Sequence, residues 1–338
     1  MNWYLQNGKE SDVVISTRVR LSRNIKGIPF INKASKEELK EVYDKVKEIT
    51  PSLGYNLKFL SLDDMDMITK QSLVEKHLIS PDFAKTKMPY TAVVINDDEN
   101  ICIMVNEEDH IKLQVFTSGL DIDNLLNLAI EIDEKMESLI PYSYHEKYGF
   151  LTACPTNVGT GLKISTLVHI PALQMTGNLN KMLNIINNLG MNVRGLYGEG
   201  TKAEGDIYQV SNNQTLGITE KEIAKNLNLL AQKIIDQERL ARKYLSKNSL
   251  KLEDEVYRSY GILANARRLS EDENIELLSK VKLGTDLGII KELNDKKVRE
   301  LMLFTKPANM QKRLGTKLSV IDQEASRCEV IKQILSED

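Results

Sequence analysis

The chain has 338 residues, 41% of them hydrophobic, with 45 Lys+Arg against 48 Asp+Glu for a formal net charge of −3. That length suits two domains and a real core, and a charge this evenly balanced offers no basic arm for nucleic acid or membrane surfaces. Three widely spaced cysteines, Cys102, Cys154 and Cys328, exclude a disulfide framework and a thiol zinc site. With no signal-like segment and no apolar run of ~20 residues, the expectation is a cytoplasmic protein.

Residues 13–17, 91–96 and 101–106 are short and β-branched, which predicts strands, the last two joined as a hairpin by the polar turn at 97–100. One helix is expected in the first 110 residues, where Ser35 and Glu38 form a capping box before Leu39, Val42, Val46 and Ile49. A second covers 120–139. Residues 148–170 read strand, loop, strand, with the loop at 155–161, and a short helix follows at 178–189. Thr219 and Glu222 open a long helix that runs to about Leu245.

Everything beyond reads as helix: one from Ser270 that Gly284 ends, one with Pro307 in its first turn, and one over Ser319–Leu335. The expected class is α+β, an antiparallel sheet flanked by helices over 1–250, followed by a small all-helical domain over 251–338.

Four polar segments interrupt this pattern. In Ser16-Thr17-Arg18-Val19-Arg20, followed by Arg23, the period of a strand puts Arg18 and Arg20 on one face. Adjacent guanidinium groups repel unless an anion lies between them, and a polyphosphate fits; a solvated strand edge is the plain alternative. Asn106-Glu107-Glu108-Asp109-His110 places three carboxylates at a strand end, which suits a turn, a magnesium site or a clamp for a cation. Cys154-Pro155-Thr156-Asn157-Val158-Gly159-Thr160-Gly161 exposes backbone N–H groups that can cradle phosphate, yet it lacks the Gly-Lys-[Ser/Thr] ending of a P-loop. Arg194-Gly195-Leu196-Tyr197-Gly198-Glu199-Gly200 carries both charge signs in one glycine-rich loop.

Taken in this order, S-T-R-V-R, N-E-E-D-H, C-P-T-N-x-G-T and R-G-x-x-G-E resemble the ATP:guanidino phosphotransferases, the phosphagen kinase superfamily. Only fifteen residues precede Ser16, whereas creatine and arginine kinases carry a helical specificity domain there. A helical domain instead follows the catalytic one. That arrangement and the stretch LFTKPANMQKRLG resemble the bacterial protein-arginine kinases of the McsB type.

The resemblance implies a phosphagen-kinase/glutamine-synthetase-like catalytic fold and transfer of the γ-phosphoryl group of ATP, with Mg²⁺ carried by ATP oxygens and water, to arginine side chains of proteins. It implies Glu108 as base, Glu199 as its partner clamp and Cys154 as the active-site cysteine. ATP would be held by Ser16, Thr17, Arg18, Val19, Arg20, His77, Lys112, the segment Lys163, Ile164, Ser165, Thr166 and Leu167, and the segment Arg194, Gly195, Leu196, Tyr197 and Gly198. Lys112 and Lys163 stand where the family has arginine, which keeps the charge and loses the bidentate fork.

Near the C-terminus, Gln323, Glu324 and Arg327 align with a phosphoarginine-recognition motif of these kinases, of which only Arg327 is retained; an amphipathic helix or dimer contact is the alternative. Implied partners are arginine-bearing protein substrates, an activator protein, a Clp-type unfoldase that passes the marked proteins to proteolysis in a stress response, and a second copy of the chain. Two competing readings are a kinase for a free guanidino compound and a weakly active nucleotide-binding adaptor.

Overall fold

The computed structural model describes residues 2–195 and 203–337. Ten strands are present among them: β1 Val14–Arg23, β2 Lys58–Ser61, β3 Ala92–Ile95, β4 Ile101–Val105, β5 Ile111–Ser118, β6 Tyr144–His145, β7 Gly149–Phe150, β8 Leu162–His169, β9 Met191–Gly195 and β10 Ile207–Asn212. All but β6 and β7 form one antiparallel sheet in the order β2-β3-β4-β5-β1-β8-β10-β9. The helices are α1 Lys36–Leu53, α2 Met67–Glu75, α3 Pro81–Lys85, α4 Ile122–Leu139, α5 Pro171–Met175, α6 Leu179–Asn188, α7 Glu220–Leu245, α8 Ser249–Asn265, α9 Glu271–Asp286, α10 Asp295–Phe304, α11 Pro307–Leu314 and α12 Val320–Ser336.

Local chemistry sets the helix starts. Ser35 and Thr219 make full capping boxes with Glu38 and Glu222, Ser270 and Ser319 cap α9 and α12, and Pro307 sits in the first turn of α11. Strand alternation then divides the sheet into two faces. Val19, Leu21, Leu113, Val115 and Ile164 point to one face and pack with α1, α4 and α7 in the main core. On the other, Cys102, Met104 and Phe116 pack with Trp3, Leu73 and Phe83 in a smaller cluster that covers β3 to β5. The arginine-bearing half of that second face, on β1 and β8, lies beyond this cover.

Helices α8 to α12 form a third cluster around Val256, Val281, Val298, Met310 and Ile331. It is tied back to the sheet by polar contacts. Glu75 of α2 accepts from the backbone N–H groups of Ala308 and Asn309, both at 2.8 Å, which satisfies the N-terminus of α11. Arg242 of α7 meets Asp286 of α9 at 3.5 Å, and Lys282 pairs with the same carboxylate at 3.0 Å.

Three expectations are corrected. Residues 148–154 form only the short β7, because beyond Phe150 the Ala153 N–H is taken by Asp109 Oδ1 at 2.7 Å instead of by a neighbouring strand, and the chain then turns through a single 3₁₀ turn at Pro155–Asn157. Besides α1, the first 110 residues also hold α2 and α3, whose apolar residues follow no long helical stripe. Gly284 does not end its helix: α9 passes through it, and a Cβ there would lie 2.2 Å from Val256 Cγ1, so glycine permits the close approach of α8.

Candidate active site

The cationic strip is built by register. Strand β1 lies between β5 and β8, with Arg18 opposite Ser165 and Arg20 opposite Lys163. Ser16, Arg18 and Arg20 alternate onto the face away from the main core, as do Lys163, Ser165 and Leu167. Arg18 Nε donates to Ser165 Oγ at 3.3 Å and Nη2 to Gln209 Oε1 at 3.4 Å.

Among the described residues no carboxylate forms an ion pair with Arg18 or Arg20. Burial and then Arg20 push the Arg18 pKa down to about 9. Burial, then Arg20, Arg194 and Arg18, push Lys163 down to about 8. Burial also lowers Arg20, with Glu107, Glu108 and Asp109 acting in the opposite sense. Such crowded cations are stabilised by an anion set among them.

Beside this strip lies a polar cavity of about 180 Å³, lined by Thr156, Asn157, Lys163, Arg194, Asn212 and Thr215. The Cys154–Gly161 loop forms its edge. Thr215 Oγ1 donates to the carbonyls of Thr156 and Val158 at 2.9 and 2.8 Å, and Cys154 Sγ lies 3.0 Å from Thr156 Oγ1. Gly159 is required there: at φ +112° a Cβ would meet Thr215 O at 2.2 Å.

The Asn106–His110 loop joins β4 to β5 and is pinned at nearly every residue. Asn106 Nδ2 donates to the carbonyls of Leu39 and Tyr90, both at 2.9 Å. Asp109 Oδ1 accepts from Asn24 Nδ2 and from Ala153 N–H, both at 2.7 Å, which anchors the loop to the approach to Cys154. His110 Nδ1 accepts from Ile25 N–H while its Nε2 faces Pro29 O, so the neutral ring is locked in one tautomer, and burial lowers its pKa. Glu107 is half-buried and bound by Lys112 and Ser80. Burial alone would raise the Glu107 carboxyl, but Lys112, Ser80 and Arg20 outweigh it and hold it below its ordinary value.

Glu108 is the exception. Its side chain is 42% exposed, and Lys112 Nζ, 3.1 Å away, is the one ion-pair partner of its carboxylate among the described residues. Lys112 is thereby committed to two carboxylates and turned toward the loop.

A second, mostly apolar slot of about 110 Å³ continues the strip past Ser16 and is lined on the sheet side by Trp3, Ser16, His77, Leu167 and Ile207. His77 sits at φ +63° after α2, and burial, Lys306 and Arg18 hold its pKa well below the usual histidine value.

The structure thus gathers Ser16, Arg18, Arg20, Lys163, Ser165, Leu167, Arg194 and Cys154 around one face, with Glu108 at the neighbouring loop. Thr17, Val19, Ile164 and Thr166 point to the opposite face, and the backbone of β8 is engaged on both sides by β1 and β10. That segment can offer the site its alternate side chains rather than its amides. Arg23 is not part of the strip: it is buried against Asp133, with Nη2–Oδ2 at 2.7 Å. Leu196, Tyr197, Gly198 and Glu199 lie outside the described residues. Arg327 is 2% exposed and donates to the carbonyls of Thr305 and Leu269 at 3.0 and 2.6 Å, a brace between helices. Glu324 pairs with Arg268 and Gln323 reaches Leu318 O.

Sequence reasoning missed Gln209, Asn192, Asn212 and Thr215 as neighbours of the strip, because only the pairing of β8, β10 and β9 and the loop that leaves β10 bring them there. The family model for the ATP:guanido phosphotransferase C-terminal catalytic domain matches residues 36–241. The chain belongs to this family. The model for the protein-arginine kinase McsB C-terminal domain matches residues 249–338.

Similar curated proteins include the protein-arginine kinase of Halothermothrix orenii, 44% identical over 99% of this chain and 96% of the relative. That of Halalkalibacterium halodurans is 43% identical over 98% and 94%. Among solved structures, a lombricine kinase superposes with TM-score 0.60 at 25% identity, covering 69% of this chain and 68% of its own. The duplicated taurocyamine kinase of Schistosoma mansoni with bound transition-state-analogue components reaches 0.61 at 26% identity, over 69% and 34%. A phosphotransferase family that uses ATP accords with the crowded cations of β1 and β8. Among the described residues no group of three or more His, Cys, Asp or Glu could hold a metal ion, and no helix is long and apolar enough to cross a membrane.

Proposed function

We propose that this protein transfers the γ-phosphoryl group of ATP to arginine side chains of proteins. The observation that carries the reading is the pairing of an anion-seeking strip, Arg18–Arg20–Lys163, with one half-exposed carboxylate, Glu108, on an otherwise pinned loop. The strip would hold the phosphates of ATP, whose Mg²⁺ is carried by ATP oxygens and water, and would neutralise charge as the phosphoryl group moves. An arginine guanidinium is protonated and a poor nucleophile, so Glu108 would orient it and take its proton. One guanidino nitrogen forms the bond to the γ-phosphorus, the bond to the β–γ bridging oxygen breaks, and ADP leaves. Glu199 remains the second clamp and Cys154 the neighbour of the substrate cation, as the resemblance assigns them.

Similarity to protein-arginine kinases along nearly the whole chain supports a protein substrate. In the same reading the protein works in the cytoplasm as a homodimer, with an activator protein, and marks substrates for a Clp-type unfoldase in protein quality control. The engagement of Lys112 by Glu107 and Glu108 favours a second reading, a weakly active nucleotide-binding adaptor.

One assay separates these. Protein with Mg-ATP labelled at the γ-position is offered an unfolded protein or free arginine. Acid-labile label on the protein acceptor supports the proposal, and label on free arginine alone overturns it in favour of a small-molecule kinase. Nucleotide binding without transfer to either leaves the adaptor.

A further inference from the structure

The slot beyond Ser16 is closed by a part of the chain remote from the catalytic motifs. Its far wall consists of Ile275 and Leu278 of α9 and Met302 and Leu303 of α10, with Lys306 at the rim. Arg299 pins α10 there, its Nη1 donating to Ile15 O at 3.2 Å beside Ser16. The first turn of α11 is fastened on the same side: Asn309 Nδ2 donates to Glu75 at 2.8 Å and Ser72 Oγ to Asn309 Oδ1 at 2.7 Å, close in sequence to His77. The LFTKPAN stretch therefore has a structural task at the slot, not only in the helical core.

We propose that the helical region is half of the nucleotide site: α9 and α10 form the wall on which the base of the nucleotide lies, and Ile275 and Met302 are the residues that favour a purine over a bare polyphosphate. This rests on the reading of the strip as the phosphate site. The slot begins at Ser16, one strand repeat or about 7 Å from Arg18 on the same face of β1, so a base in the slot and phosphates on the strip share one molecule. Its lining is mostly apolar and half-buried at Ile275 and Met302, as a flat, weakly polar ring requires. Because both walls must be present for the base to be covered, bound nucleotide favours the docked helical region by mass action.

Trp3 is the single tryptophan of the chain, lines the slot and stacks on Phe116 with centroids 5.3 Å apart. Its emission therefore reports on the slot in the unmodified protein. Titration with ADP should change Trp3 emission. Inorganic tripolyphosphate should compete with ADP yet leave the emission unchanged. Ile275→Ala and Met302→Ala, each shown folded by its thermal melt, should weaken ADP by about tenfold and tripolyphosphate not at all.

ADP binding without a Trp3 response, or variants that bind ADP as tightly as the parent, would overturn the wall while leaving arginine transfer and its assignment intact. Failure of both ADP and tripolyphosphate to bind the unmodified protein would overturn the phosphate strip and the wall together.

Discussion

Lys112 Nζ stands 3.1 Å from Glu108 Oε2, so the carboxylate proposed as proton acceptor is held by a lysine four residues along the chain. The contact orients Glu108 without burying it. Glu108→Gln keeps the shape and the bond-accepting oxygen but removes the base. Transfer to arginine should fall by about 10²–10⁴-fold, the usual contribution of a positioned acid–base group, with ADP affinity unchanged. Single-turnover transfer and an ADP titration check this, and full turnover in the variant would move the base elsewhere.

Lys163 brings a pH dependence of nucleotide binding. Its pKa in the empty protein lies at about 8 rather than 10.5, through burial and the arginines Arg20, Arg194 and Arg18. Only the ammonium form attracts phosphate, and a bound phosphate keeps the proton on. ADP affinity should therefore be insensitive to this group below its free-protein pKa and decline as pH rises above it, by up to about tenfold per unit. Lys163→Arg keeps its charge and should remove the part of the decline that begins near pH 8. Calorimetric titrations across that range would show whether it does.

Asp133 is the counter-charge of Arg23, at 2.7 Å with both side chains nearly covered. Arg23 also donates to Thr160 O at 2.9 Å and so braces the loop that begins at Cys154. Asp133→Ala leaves a buried guanidinium uncompensated and should cost about 3–5 kcal/mol of stability. Denaturant unfolding measures it; a loss under 1 kcal/mol, below the ~3–5 expected for a buried pair, would mean that water reaches Arg23.

Much of this arrangement was legible because its signals are local. Caps at Ser35, Thr219, Ser270 and Ser319 announce helix starts within four residues, and the alternation of Arg18 and Arg20 announces a shared face. What stayed hidden depends on distant partners. No local pattern in Ile275 or Met302 signals that they close a slot begun by Ser16, and nothing around Arg23 distinguishes it from its strand neighbours until Asp133 is placed beside it. Residues 148–154 look like a strand by composition, yet Phe150 packs on that same guanidinium and the Ala153 N–H goes to Asp109 of a distant loop.

Gly284 tests the packing of the helical region. Alanine is the better helix former by about 1 kcal/mol, which alone would stabilise α9. The new methyl would lie 2.2 Å from the β-branched Val256 and 3.2 Å from Ile290, both buried. Overpacking of that kind costs about 1–3 kcal/mol, so Gly284→Ala should lower stability on balance. A higher melting temperature would show that α8 can slide away.

Strand β1 carries the phosphate-seeking arginines on its even-numbered residues and the core valine and leucine, Val19 and Leu21, on its odd ones. Position within the strand is therefore a matter of parity. Inserting or deleting one residue between Ser16 and Leu21 would put the two ends of the strand out of phase, sending guanidinium groups into the core or aliphatic groups into the site. A change ahead of Ser16 falls where the register already shifts, between Val14 and Ser16. Substitutions along β1 can be graded in effect, but a single-residue change in length between Ser16 and Leu21 would remove fold and chemistry in one step.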